Sequence, residues 1–165
     1  MILTQRLMLR PWWDDDFNRA AGLLADPELF SPPYDRAGSD AFIARAIVHF
    51  GRHGFGLWAV EAPGVSPLIG ITGLQTVPDK SPLAPAVEIR WWLARKHWGH
   101  GYATEAARTT IADGFSRCGL RMIIARASPG DLRSRAIMER LGMTPDGAMS
   151  SDILYRLHAP AGGSA

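Results

Sequence analysis

The chain has 165 residues, of which 47% are hydrophobic and 21% charged, with a formal net charge of +2 and one cysteine. That is enough for one domain with a real core, and the lone Cys118 excludes a disulfide framework. No apolar run approaches the ~18 residues that cross a bilayer, and the first residues lack the basic-then-apolar layout of a secretory signal, so a cytoplasmic protein is expected. The positive excess lies in arginines grouped as Arg95 with Lys96, Arg117 with Arg121 and Arg133 with Arg135. Neither a basic arm nor interleaved aromatics accompany them, so nucleic acid is not the expected partner.

In chain order, Leu7 to Trp12 reads as a first strand ending at Pro11, and Asp14 to Asp16 caps a helix running toward Ala25. Pro27, Pro32 and Pro33 break the pattern, and Ser39 is the expected cap of a second helix through His53, with Phe42, Ile43, Ala46, Ile47 and Phe50 as its apolar stripe. Leu57 to Glu61, Ile69 to Val77 and Val87 to Leu93 then read as an antiparallel meander. Within the last of these, period-2 alternation puts Val87, Ile89, Trp91 and Leu93 on one face and Glu88, Arg90 and Trp92 on the other.

From Trp91 the chain reads as strand, glycine-bearing turn and helix. The first turn of a helix has backbone N–H groups without partners and a partial positive charge, so it favours an anion such as a phosphate. Gly99 and Gly101 let the backbone take unusual dihedrals before the periodic run Ala103, Ala107, Ile111 and Phe115, which Gly119 stops. Met122 to Ala127 predicts a buried strand parallel to the one before the cradle, because a helix intervenes. Asp131 can cap the next helix, Gly142 can end it, and Asp152 to Leu157 is the final strand. Residues 1–158 are expected to form one domain, with 159–165 a disordered tail.

Trp98-Gly99-His100-Gly101-Tyr102-Ala103, followed by Thr104-Glu105-Ala106, resembles the acyl-CoA pyrophosphate loop of the GNAT N-acetyltransferases. A tryptophan stands where the general pattern has Gln or Arg, which resembles the RimJ/RimL type of ribosomal-protein N-terminal acetyltransferase. Leu3-Thr4-Gln5-Arg6-Leu7-Met8-Leu9-Arg10-Pro11 and Ser134-Arg135-Ala136-Ile137-Met138-Glu139-Arg140-Leu141-Gly142-Met143 are similar to segments of that subgroup. The resemblance implies a mixed α/β fold: a largely antiparallel sheet flanked by helices, with a central parallel strand pair forming the acyl-CoA cleft. It implies acetyl-CoA as co-substrate and an amine acceptor, either a small molecule or a protein N-terminus. It also implies that the first two helices and their connection over 26–40 supply part of the substrate wall.

By the same resemblance, cofactor contacts fall to Leu93, Trp98, Gly99, His100, Gly101, Tyr102, Ala103, Thr104 and Asp131, the last standing where the family has asparagine. Glu88 matches a glutamate that serves as general base for the incoming amine, and partial burial would suit it to that role; the alternative is simple pairing with Arg90. Ser134 matches a serine that can protonate the leaving thiolate, or it is an ordinary first-turn helix residue. Arg95, Lys96, Arg133, His97 and His100 can reach phosphate or simply be solvated. His49 and His53 have a spacing that could hold a metal, but no acidic third ligand is near in sequence, and no metal is expected. Cys118, at a helix end, argues against a covalent route. Transfer of a larger acyl group such as succinyl and a non-catalytic acyl-CoA sensor are the alternatives. Many related enzymes dimerise, and the sheet edge near the short final hairpin offers a surface for a homodimer.

Overall fold

The computed structural model describes residues 1–161. Eight strands form one sheet: β1 (Ile2–Leu3), β2 (Met8–Arg10), β3 (Leu57–Ala62), β4 (Ser66–Thr76), β5 (Val87–Leu93), β6 (Met122–Ala127), β7 (Thr144–Met149) and β8 (Asp152–His158), in the order β1-β2-β3-β4-β5-β6-β8-β7. Four helices flank it: α1 (Asp16–Leu24), α2 (Arg36–His53), α3 (Tyr102–Ser116) and α4 (Leu132–Arg140). Every neighbouring pair is antiparallel except β5 and β6, which α3 joins as a parallel crossover. This is the mixed α/β architecture expected, with its one parallel pair at the centre.

Residue chemistry accounts for the layers. Ala107 and Ile111 of α3 pack with Leu74, Ile89 and Ile123 on one face of the sheet. Ala20, Leu24 and Phe30 pack with Ile43 and Ala46 of α2 against Leu57 and Ile71 on the other. Gly73 sits where β4 crosses the chain entering β3; a Cβ there would overlap the carbonyl of Gly56, so no larger residue fits without moving backbone.

Three local expectations are corrected. The cap of α2 is Asp35, whose side chain accepts from the Gly38 amide at 2.7 Å, while Ser39 is buried one turn inside. Of Asp14 to Asp16, Asp15 is the N-cap residue of α1 but makes no side-chain cap bond, and Asp16 is a buried charge: its carboxylate meets the Arg10 guanidinium at 2.6 and 3.1 Å and the Trp13 amide at 2.8 Å. Between Gly142 and Asp152, where no element is expected, the chain forms the edge strand β7; its Thr-Pro-Asp-Gly start is polar and carries a proline, which edge strands tolerate. Of the tail expected over 159–165, residues 162–165 lie outside the described residues, and the Ala159 amide donates to the Arg121 carbonyl at 2.9 Å. No helix among the described residues is long and apolar enough to cross a membrane.

Candidate active site

The central strands touch once. β5 is paired with β4 along its whole length, from Val87 opposite Thr76 to Leu93 opposite Gly70, and β6 is likewise paired with β8. Between β5 and β6 the only partners are Glu88 and Ile124. Beyond Glu88 the strands part, so backbone groups on that edge of β5 have no strand to bond and can serve a ligand. The wedge opens into a cavity of about 630 Å³ lined by both strands, by Trp98 and Ala103 of the cradle, and by Asp131, Arg133 and Ser134 at the start of α4.

Glu88 stands at the apex, 5% exposed. The expected partner Arg90 donates to its Oε2 at 3.0 Å, but Arg126 of β6 contributes more, with Nε to Oε1 at 3.0 Å and Nη2 to Oε2 at 2.9 Å. Arg126 is not among the residues expected from sequence, although an arginine inside Met-Ile-Ile-Ala-Arg-Ala is a signal: a charge in a buried strand needs a partner. The Arg126 guanidinium is held above its ordinary value mainly by its hydrogen bond to Glu88, so it keeps its charge at this junction.

The cradle follows β5 through a single 3-10 turn at Arg95–His97. Gly99 and Gly101 have φ of 78° and 77°, and Gly101 caps α3 in the left-handed region where a Cβ is disfavoured. The backbone N–H groups of residues 99–104 find no acceptor among the described residues; the first paired amide of the helix is that of Glu105, to the Gly101 carbonyl at 3.0 Å. Orphan donors of this kind at a helix N-terminus favour an anion.

Two devices unforeseen from sequence hold the cradle. The Trp98 indole N–H donates to the Leu93 carbonyl at 2.7 Å, and the Arg133 guanidinium lies 3.2 Å over the Trp98 ring. On the far side, the Glu105 carboxylate accepts from the Thr4 hydroxyl at 2.6 Å and from the Arg6 amide and Nε at 2.9 and 2.8 Å, while Arg6 Nη1 donates to the His100 carbonyl at 2.8 Å. Burial alone would raise the Glu105 carboxyl, but those donors hold it below its ordinary value. The N-terminal motif and the Thr-Glu-Ala of the cradle are therefore two halves of one contact.

Leu93, Trp98, Ala103 and Asp131, of the expected cofactor contacts, line the cavity together with Glu88 and Ser134. Gly99, His100 and Gly101 of the turn, and Tyr102 and Thr104 at the start of α3, lie beside it rather than in its wall, with His100 stacked on Tyr102. Asp131 caps α4, its carboxylate accepting from the Ser134 amide at 3.0 Å, and both residues border the cavity. His97 is buried, not solvated, and its imidazole is held below its ordinary value by burial and by Lys96 and His100. Arg95 is engaged by Asp26 at 2.9 Å. His49 uses both ring nitrogens on protein groups, Nδ1 with the Phe55 carbonyl at 3.1 Å and Nε2 with Thr76 at 3.2 Å. A second cavity, of about 340 Å³, lies on the α1–α2 side and shares Glu88, Arg90, Trp92 and Arg126 with the first.

Residues 6–144 match the model of the acetyltransferase (GNAT) domain. The chain belongs to the GNAT acetyltransferase family. Among its relatives, the uncharacterized protein YkkB of Bacillus subtilis (strain 168) is 31% identical over 148 residues, covering 86% of this chain and 84% of that protein. The crystal structure of an acetyltransferase from Agrobacterium tumefaciens str. C58 superposes with a TM-score of 0.84 at 29% identity, over 96% of this chain and 94% of that one. RimL, a ribosomal L7/L12 α-N-protein acetyltransferase solved with coenzyme A, shares the fold with a TM-score of 0.79 at 14% identity, over 95% and 96% of the chains. This acetyltransferase uses acetyl-CoA as its co-substrate, and its residues fit that group: orphan amides suit the phosphates, and the parted edge of β5 suits an amide-bearing arm.

Proposed function

We propose that this acetyltransferase moves an acetyl group from acetyl-CoA to a primary amine by direct attack, that it acts as one domain over residues 1–158, and that it stands with the RimJ/RimL-like subgroup. The observation that carries the reading is the single Glu88–Ile124 pairing, beyond which the sheet opens into a cavity with a carboxylate at its apex and an amide-lined helix N-terminus at its mouth.

Bound acetyl-CoA supplies the activated carbonyl. The amides of residues 99–104, from Gly99 and His100 through Gly101, Tyr102 and Ala103 to Thr104, would hold its phosphates, while Leu93, Trp98 and Asp131 border the arm. Glu88 would take the proton of the amine, directly or through a water. Three guanidinium N–H bonds occupy its two oxygens and leave about one of roughly four lone-pair sites for that purpose. Ser134, which borders the cavity in the first turn of α4, would return a proton to the leaving sulfur. Cys118 borders neither cavity and its thiol is pushed up by burial, which supports transfer without an acyl-enzyme.

Free-thiol release from acetyl-CoA across amino acids, polyamines, aminoglycosides and N-terminal peptides, with calorimetric CoA binding on the same sample, tests the reading. Glu88→Gln is expected to lower kcat by about a hundredfold or more while CoA affinity changes by less than about twofold. Tight CoA binding without turnover on any acceptor would favour a sensor instead, and absence of CoA binding would sink the whole reading.

A further inference from the structure

The cavity on the α1–α2 side has a wall unlike that of the donor cavity. One side is aromatic: Phe30, Tyr34, Phe42 and Trp92 form a continuous group, with Phe30 5.2 Å from Trp92 and 5.3 Å from Tyr34, and Phe42 5.9 Å from Trp92. The other is cationic. Arg45 of α2, Arg90 of β5 and Arg126 of β6 all border it, and the lone carboxylate among the lining residues is Glu88. Glu88 already answers Arg90 and Arg126. Arg45 has neither salt-bridge nor hydrogen-bond partner among the described residues. The cavity therefore keeps an excess of two positive charges beside an apolar surface, in about 340 Å³, the small end of the range of ligand pockets.

Building on the acetyl-transfer reading, we propose that the acceptor is a small amphoteric amine of the α-amino-acid kind: an apolar or aromatic side chain against the Phe30 group and an anionic group on the arginines. That arrangement turns the amine toward Glu88 at the junction of the two cavities. The same field rejects polycations, because a second ammonium finds no free carboxylate on this wall. It also favours the neutral amine needed for attack, since a nearby like charge disfavours the protonated form. Arginine suits this wall because its planar fork matches a carboxylate bidentately and stacks on rings, as Arg90 does 5.8 Å from Trp92.

Binding and turnover of phenylalanine, phenylalaninamide, phenethylamine, the phosphonate analogue of phenylalanine, a C-terminally amidated peptide and spermidine are compared on the CoA-loaded protein. Calorimetry reads binding and thiol release from acetyl-CoA reads turnover. Phenylalanine is expected to bind at least about tenfold more tightly than its amide, the value of one charge-assisted hydrogen bond. Arg45→Gln is expected to reduce that acid-to-amide ratio about tenfold; Arg45 is an exposed helix residue, and unchanged CoA affinity of the variant reports an intact fold. A phosphonate that binds like the carboxylate supports recognition by charge, and one that binds no better than the amide restricts the anion to a carboxylate; both retain the proposal. Equal binding of acid and amide, or preference for spermidine or the peptide, overturns it and leaves acetyl transfer standing. Discrimination between acid and amide without any turnover sinks the catalytic reading alone.

Discussion

Trp98 concentrates the physics of the cradle in one side chain. Its indole N–H ties the turn to the Leu93 carbonyl at the end of β5, and its ring carries Arg133 from α4, so one residue couples strand, cradle and α4. Trp98→Phe keeps an aromatic platform but drops the hydrogen bond, a net loss of about 1 kcal/mol. The expected result is CoA binding weakened about fivefold, with stability lowered by a similar free energy, read by calorimetry and thermal melting. Gly101→Ala acts on backbone instead. At φ 77° an alanine costs about 1–2 kcal/mol, and the cap of α3 is where that strain falls. Its CoA affinity should drop by about tenfold; unchanged affinity would show that the amides of residues 99–104 do not carry the phosphate contact.

At the scale of elements, the N-terminal segment is a strap across the start of α3. Thr4 and Arg6 reach the Glu105 carboxylate, and Arg6 also holds the His100 carbonyl. Glu105→Ala removes acceptors for three donors without touching either cavity wall. Its expected signature is a CoA affinity lowered about tenfold together with faster amide exchange over residues 99–104, whereas a purely local effect would leave both unmoved. The strap also marks the boundary of what sequence conveys. Strand β5, helix α3 and the parallel partner β6 were legible because alternation, glycine punctuation and an intervening helix are local patterns. Glu88 and Ser134 were legible as candidates by resemblance. Arg126 against Glu88, Thr4 against Glu105 and Arg45 in one cavity with Trp92 were not, since each joins groups that no sequence period links. The true cap of α2 was missed for a smaller reason: Asp35 and Ser39 are both good capping types a turn apart, and the backbone decides between them.

The whole molecule stores its pH dependence away from the donor cavity. Arg10 and Asp16 are fully buried and paired at 2.6 Å, with Glu61 accepting from Arg10 Nε at 2.7 Å. Burial would raise the Asp16 carboxyl, but Arg10, the Trp13 amide and Arg19 hold it below its ordinary value. Its stabilising contribution is therefore complete above the ordinary carboxylate range and is lost as pH falls through that range toward the folded-state value; Glu105 follows the same sign. His49 and His97 act earlier, because burial holds both imidazoles low. The unfolded chain binds their protons first, so stability begins to fall below about pH 6.5. Asp16→Asn separates the two stages. Breaking one side of a buried pair costs about 3–5 kcal/mol, or roughly 10 °C in Tm at pH 7 for a chain of this size. At about pH 3 the wild-type carboxylate has begun to lose its own advantage, so the gap between the two melting temperatures should narrow. A gap that stays constant from pH 7 to 3 would assign the acid sensitivity to other carboxylates. The shallow loss between pH 6.5 and 5 should persist in the variant, because His49 and His97 are untouched by it.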